Sequence, residues 1–130
     1  MPPDSAAPTV LVADDEQALL GLMGRILERA GYRALCALDG DEALELFRKD
    51  PGQVSVAVLD ATLPPAGGLS ALREMRLEQP ELGVVLVSGG SLDAEASEIL
   101  HACGGAFVSK PFSPSALTRA LDEVRAGAKA

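Results

Sequence analysis

Tryptophan is absent from this 130-residue sequence, tyrosine occurs once and phenylalanine three times. A core with so few rings has to be aliphatic, built from Leu, Val, Ala and Ile. Cysteine occurs only as Cys36 and Cys103, with no C-x-x-C pair and no His/Cys cluster beside either. That spacing excludes a thiolate metal site and argues against a disulfide framework, so both are read as buried thiols. The single histidine, His101, falls on a polar stretch and reads as a surface residue rather than a phosphodonor. Basic side chains are outnumbered 11 to 19, and the formal charge of −8 excludes the basic face that nucleic acid requires. No apolar run approaches the roughly 20 residues of a membrane-spanning helix. The opening Met-Pro-Pro-Asp-Ser lacks the charged and apolar regions of a secretory signal. The expectation is a cytoplasmic chain without nucleic acid or membrane as a direct partner, long enough for one core and too short for two.

What is present is a regular alternation. Residues 54–60, Val-Ser-Val-Ala-Val-Leu-Asp, read as a strand buried on both faces, the way parallel sheets are written. Similar strands are expected at 9–13, 33–38, 83–88 and 106–108. Between and after them lie helical patterns: a first helix with apolar residues at 19, 22, 23, 26, 27 and 30, closed by Gly31, then 41–49, 69–78 and 92–103. A last helix is capped by Ser113, with Pro114 in its first turn. Residues 1–8 read as a disordered lead-in, 9–126 as the domain and 127–130 as a fraying tail. Five strand–helix units in strict alternation predict an α/β fold, a single doubly wound five-stranded parallel sheet with five helices on its two faces.

In such a sheet, chemistry collects just beyond the C-terminal ends of the strands. The first strand delivers Asp14 and Asp15 there, the third Asp60, the fourth Ser88 and the fifth Lys110. Taken singly, Asp15 is as well explained as a helix N-cap, Asp60 as a turn residue, Ser88 as a hydroxyl bonded to backbone and Lys110 as a solvated charge. Together on one edge they suggest a shared site. Three neighbouring carboxylates repel one another and must either stay partly protonated or bind a cation; for a cation, an all-oxygen set suits Mg²⁺, with Mn²⁺ as a substitute. A carboxylate beside a metal, an ammonium and a hydroxyl is equipped for phosphoryl transfer.

These residues resemble the response-regulator receiver domain, the phospho-acceptor module of two-component signalling. The likeness spans roughly residues 9–126. It rests on the acidic pair Asp14-Asp15, on Asp60-Ala-Thr-Leu-Pro-Pro-Ala-Gly-Gly-Leu as the family's D-x-x-[ML]-P-x-x-x-G segment, on Ser88 and on Lys110-Pro111. The resemblance implies the flavodoxin-like strand order 2-1-3-4-5 and a cis Lys110-Pro111 bond. It implies Asp60 as the phosphorylated residue, with Asp14, Asp15, Asp60 and the backbone carbonyl of Thr62 around Mg²⁺. Lys110 would bridge to the phosphoryl group and Ser88 would donate to one of its oxygens. Phe107, where the family more often has Tyr, would turn inward as Ser88 moves, reporting on the face of the fourth helix, fifth strand and fifth helix. The partner would be a sensor histidine kinase or a histidine phosphotransfer domain, docking on the first helix near Leu20 and Gly24.

Two forms of this reading are level: a free-standing regulator, or the receiver segment of a hybrid sensor histidine kinase. Neither is a turnover enzyme; such a domain catalyses only its own phosphorylation and dephosphorylation. A receiver-like module that binds without phosphorylation is the further alternative. A flavin-binding relative would want a Ser/Thr/Gly-rich loop after the first strand, and a haloacid-type phosphatase an Asp-x-Asp there; Asp14-Asp15-Glu16 supplies neither.

Overall fold

The computed structural model describes residues 8–50, 52–61, 67–90 and 94–129. Strand and helix alternate as β1 (Thr9–Ala13), α1 (Gln17–Arg29), β2 (Arg33–Ala37), α2 (Gly40–Lys49), β3 (Val54–Asp60), α3 (Gly67–Glu78), β4 (Gly83–Ser88), α4 (Ala94–Cys103), β5 (Ala106–Ser109) and α5 (Pro114–Lys129). The strands form one parallel sheet in the order β2-β1-β3-β4-β5, as the alternation and the resemblance predict.

Period-two alternation along the strands divides the apolar residues between two cores. Leu11, Ala57, Leu59, Val84 and Leu86 face α2, α3 and α4, meeting Phe47, Leu72, Met75 and Leu100. Val10, Val12, Val58, Val85, Val87 and Val108 face α1 and α5, meeting Met23, Leu27, Leu117 and Leu121. Each of the Val, Leu, Met and Phe side chains so withdrawn from water contributes about 1.5–3 kcal/mol. Because both faces are covered, the inner strands β1, β3 and β4 are buried almost throughout.

Local chemistry sets the helix ends. Asp39 accepts from the Glu42 amide at 2.8 Å while the Glu42 carboxylate accepts from the Leu38 amide at 2.7 Å, a reciprocal cap for α2. Ser113 Oγ accepts from the Ala116 amide at 3.2 Å at the start of α5. Gly31 ends α1 with φ 95°, a conformation that favours glycine.

Two expectations and one alternative reading need correction. The buried stripe of α1 is Leu20, Met23, Gly24, Ile26 and Leu27, while Leu22 is largely exposed. This phase turns Gly24 toward β2, where an added Cβ would make ordinary van der Waals contact with Cys36 Sγ at 3.4 Å. Cys36 is exposed and Cys103 half-buried, because β2 is an edge strand and Cys103 sits in the last turn of α4. Asp15 does not cap α1: the cap position is Glu16, without a side-chain cap bond. The last helix, α5, runs to Lys129. The lead-in at 1–7 lies outside the described residues. Among the described residues, no helix is long and apolar enough to cross a membrane.

Candidate functional site

The sheet brings the C-terminal ends of β1, β3, β4 and β5 to one edge, and with them Asp14, Asp60, Ser88 and Lys110. Asp14 is fully buried. Its amide donates to the Ala37 carbonyl at 3.1 Å, and its Oδ1 accepts from the Glu16 amide at 2.8 Å. This turn fixes one carboxylate oxygen against backbone and presents Oδ2 to Lys110. Asp60 closes β3, and the next residue is pinned to β4 by the Ala61 amide donating to the Val87 carbonyl at 2.9 Å.

Lys110 reaches the centre of the cluster from beyond β5. Its amide donates to the Ser88 carbonyl at 2.9 Å, and the Lys110-Pro111 bond that follows is cis, as expected. The ammonium Nζ donates to Asp14 Oδ2 at 2.8 Å and to Asp60 Oδ2 at 2.7 Å. Burial pulls the Lys110 ammonium down, but the hydrogen bonds and charges of Asp14 and Asp60 outweigh it, and its pKa ends above the ordinary lysine value. Reading Lys110 as a merely solvated charge is therefore excluded.

Asp15, exposed at the rim, completes a triad in which one oxygen from each of Asp14, Asp15 and Asp60 lies within 4.8 Å of the others. Three carboxylates face one ammonium, leaving an excess of negative charge in a half-dry recess. Hard, all-oxygen donors with one carboxylate open to water match the requirements of a small divalent cation. Thr62, expected to add its carbonyl, lies outside the described residues.

Ser88 is buried, and its Oγ accepts from the Gly90 amide at 3.1 Å. In this conformation the hydroxyl braces its own loop, which is the simpler of its two sequence readings. Phe107 is 41% exposed. It pairs with Leu86 across the β4–β5 ladder and so belongs to the face that α4 partly covers. It borders a depression of about 580 Å³ shared with Phe112, Ala116, Arg119 and Glu123. The proposed docking residues Leu20 and Gly24 are buried; the outer positions of α1 are Gly21, Leu22 and Arg25. Two contributors escaped the sequence reading, the Glu16 amide and the Ala37 carbonyl that orient Asp14. An Asp two residues before the helix cap position is the one local signal for the first; nothing local signals the second.

This sheet order with this strand-edge cluster defines a receiver fold, and the response regulator receiver domain family model matches residues 10–122. The chain belongs to that family, the receiver domains of two-component systems. It is 34% identical over 120 residues to the sensor kinase CckA of Brucella abortus, covering 92% of this chain and 13% of that protein. It is 28% identical over 116 residues to the chemotaxis protein CheY of Thermotoga maritima, covering 88% of this chain and 95% of that one. A CheY-like receiver domain protein from Methanospirillum hungatei superposes with a TM-score of 0.84 at 25% identity, covering 95% of this chain and 98% of that one. The receiver domain of the hybrid histidine kinase CckA does so at 0.76, also at 25% identity, covering 90% and 98%. The chain spans less than half the length of several curated relatives it matches, 13% of the sensor kinase and 43–46% of three regulators.

Proposed function

We propose that Asp60 accepts a phosphoryl group from a phosphohistidine on a sensor histidine kinase or histidine phosphotransfer domain. The observation that carries this is the Lys110 ammonium, held 2.8 Å from Asp14 and 2.7 Å from Asp60 at the carboxyl edge of the sheet. An Asp60 oxygen attacks phosphorus, the phosphorus–nitrogen bond breaks, and the imidazole leaves and picks up a proton. Lys110 pairs with Asp60 beforehand and stays within reach of the new phosphoryl oxygens afterwards. Asp14, Asp15 and Asp60 are the residues that would hold Mg²⁺, with Thr62 as a further ligand from its carbonyl. When bound, that ion supplies the positive charge that offsets an incoming phosphoryl group in an already acidic recess.

The readout proposed here is a packing change. Ser88 exchanges its Gly90 amide for a phosphoryl oxygen, and Phe107 turns inward from its exposed position on β5 toward the space released. As a phenylalanine it signals by shape, with no hydroxyl to bond in the inward state. The changed face is α4, β5 and α5, and the phosphodonor docks on the outer side of α1. The setting is cytoplasmic, and the domain promotes its own acyl-phosphate formation and loss without turnover.

Intact mass after incubation with acetyl phosphate tests this directly, with and without Mg²⁺, on the wild type and Asp60→Asn. A Mg²⁺-dependent gain of one phosphoryl group that the variant loses is expected. No gain in the wild type with any donor would leave the fold and replace the switch with a constitutive binding module. The 34% identity to a sensor kinase, of which this chain matches 13%, favours a second form of the same function, a receiver that works within a longer hybrid kinase.

A further inference from the structure

β2 is an outer strand of the sheet, and among the described residues it pairs with β1 alone. The Arg33 amide donates inward to the Pro8 carbonyl at 2.9 Å, and the Ala37 carbonyl accepts from the Asp14 amide at 3.1 Å. In a parallel strand the amide and carbonyl of one residue turn to the same side, and successive residues alternate sides. Arg33, Leu35 and Ala37 therefore serve β1, while Ala34 and Cys36 turn their backbone groups outward. The open ladder has two definite ends. The Tyr32 amide is committed to the Leu27 carbonyl at 2.9 Å, and the Leu38 amide to the Glu42 carboxylate at 2.7 Å.

Sheet edges are ordinarily protected by charge, proline or a bulge. The middle of β2 has none of these: its register with β1 is unbroken, and Ala34-Leu35-Cys36-Ala37 carries no charge and no proline. Cys36 and Leu38 are exposed, and Ala34 and Leu35 are half-buried. Charge lies at the ends instead, with Arg33 at the start and Asp39 and Asp41 just past the finish. The helix on one side leaves room. Gly24 of α1 faces Cys36, and one turn earlier on the same flank Gly21 is exposed, with open space where a side chain would be.

We infer that β2 is a self-association edge, and that its occupant is β2 of a second copy in antiparallel orientation. Charge selects the orientation. A parallel neighbour of the same sequence would set Arg33 against Arg33, whereas an antiparallel one brings Arg33 diagonal to Asp39 of the second copy, within reach of a long side chain. The free backbone groups select the register. With Leu35 opposite its own counterpart, Ala34 and Cys36 meet Cys36 and Ala34 of the second copy, and each pair exchanges both of its bonds. Sliding by two residues either way calls on Leu38 or Tyr32, whose amides are spent. The two-fold axis then passes between the Leu35 residues, the self-complementary form of a closed dimer, and the two sheets become one. Neither the register nor the charges involve Asp60, so this interface stands apart from phosphorylation.

Sedimentation velocity on the unphosphorylated chain from micromolar to millimolar concentration, with hydrogen exchange of backbone amides alongside, tests the interface. The expected result is a monomer–dimer equilibrium in which the Ala34 and Cys36 amides gain protection as the dimer fills. Ala34→Pro deletes an amide that the monomer leaves facing solvent, a position edge strands tolerate. It removes one bond from each cross-dimer pair, so the dimer Kd should rise roughly 5- to 150-fold. Arg33→Glu sets acid against Asp39 and should weaken the dimer at least about tenfold. In a Cys36→Ser, Cys103→Ser background, Leu35→Cys places two thiols across a non-hydrogen-bonded pair with Cα atoms about 4.5 Å apart. Mild oxidation should trap that variant as a dimer, whereas Arg33→Cys, which faces Ala37 of the second copy, should not crosslink. A chain that stays monomeric at millimolar concentration overturns the proposal. So does slow exchange of Ala34 and Cys36 in the dilute monomer, which would mean that the chain covers its own edge. A dimer indifferent to Ala34→Pro and Arg33→Glu, or one trapped by Arg33→Cys and not by Leu35→Cys, lies elsewhere and overturns it as well. Should Ala34→Pro fail to fold, Arg33→Glu and the crosslinks decide.

Discussion

Replacing Lys110 with Met is the sharpest test of the site, because the change keeps most of the side chain's bulk and removes only its charge and hydrogen bonds. The ammonium bridges a fully buried carboxylate, Asp14, and a nearly buried one, Asp60, at 2.8 and 2.7 Å. Without it, two acids and the neighbouring Asp15 remain within 4.8 Å of one another. Each like-charge pair at such a distance costs roughly 3 to 4 kcal/mol at an effective dielectric of about 20. Water entering at the Asp15 rim relieves part of this. Removing one partner of a buried ion pair costs about 3–5 kcal/mol, and the open rim places this case near the lower end, about 3 kcal/mol. With a urea m-value of about 2 kcal/mol/M, the midpoint drops by about 1.5 M. Urea titrations in EDTA would measure it, alongside Asp60→Asn and the double variant. The double variant should recover much of the loss, because Asn removes one of the stranded charges. A divalent cation at ten times its Kd should restore about 1.4 kcal/mol to Lys110→Met. A loss below 0.5 kcal/mol in EDTA, roughly what an exposed pair contributes, would refute the bridge.

Alkaline stability should fall as two groups with raised pKa values lose their protons. Burial raises Tyr32, Arg125 works against that rise, and Asp122 adds to it; Lys110 is raised by its two carboxylates despite burial. A raised folded-state pKa means the contribution is complete below the ordinary values of 10.0 and 10.5 and is lost as pH climbs through the folded values. Denaturation midpoints from pH 8 to 12 should decline less steeply in Tyr32→Phe, and an unchanged slope would refute the assignment. Gly105→Ala should destabilise by about 1–3 kcal/mol, since the Val84 carbonyl it would strike is backbone and cannot turn aside; thermal melts would read it. Gly90 has open space where a side chain would be, so Gly90→Leu should lengthen the lifetime of the acyl phosphate proposed at Asp60 by narrowing the approach of water, and an unaltered decay rate would exclude an approach past Gly90. Cys36 is exposed as a residue, but partial desolvation and then the charge of Glu28 raise its thiol, so it should react slowly with a disulfide reagent at pH 7 in a Cys103→Ser background, and faster when Glu28→Gln is added.

The layout of elements was legible because buried parallel strands are written as unbroken apolar runs, and 54–60 is such a run. The edge-of-sheet cluster was legible because residue types and topology together place Asp14, Asp60, Ser88 and Lys110 at one end. What was not legible depended on neighbours distant in sequence. In α1 the apolar residues Leu19, Leu20, Leu22 and Met23 allow more than one helical phase. The phase adopted buries Gly24, which carries no hydrophobic signal, and leaves Leu22 outside. Cys36 looked buried because its neighbours are apolar, yet sequence does not mark a strand as the edge of its sheet. Asp15 looked like a cap because Asp so often is one; Asp14 bonds the Glu16 amide instead, and the cap position moves on to Glu16.

The geometry also explains why a change at Asp60 could be felt on one face rather than throughout the domain. Ser88 lies two residues after Leu86 on β4, and Phe107 is paired with Leu86 on β5. By alternation all three project to the face that carries α2, α3 and α4, whereas Val87 and Val108 project to the α1–α5 side. The α1–α5 face is closed by Met23, Leu27, Leu117 and Leu121, all nearly or fully buried, and the Tyr32 hydroxyl donates to Asp122 at 2.7 Å beside them. Repacking there would disturb a dense core. On the other face, near β5, Phe107 is already exposed and α4 buries only Ala96 and Leu100. A close-packed interior resists rearrangement while a lightly covered face accommodates it at small cost. Substituting Phe107→Ala should therefore cost less than about 1 kcal/mol in stability, against about 2–5 kcal/mol for Leu121→Ala on the dense side. Comparable losses in the two melts would mean that α4 and β5 are no looser than the rest, and that the signalling face must be sought elsewhere.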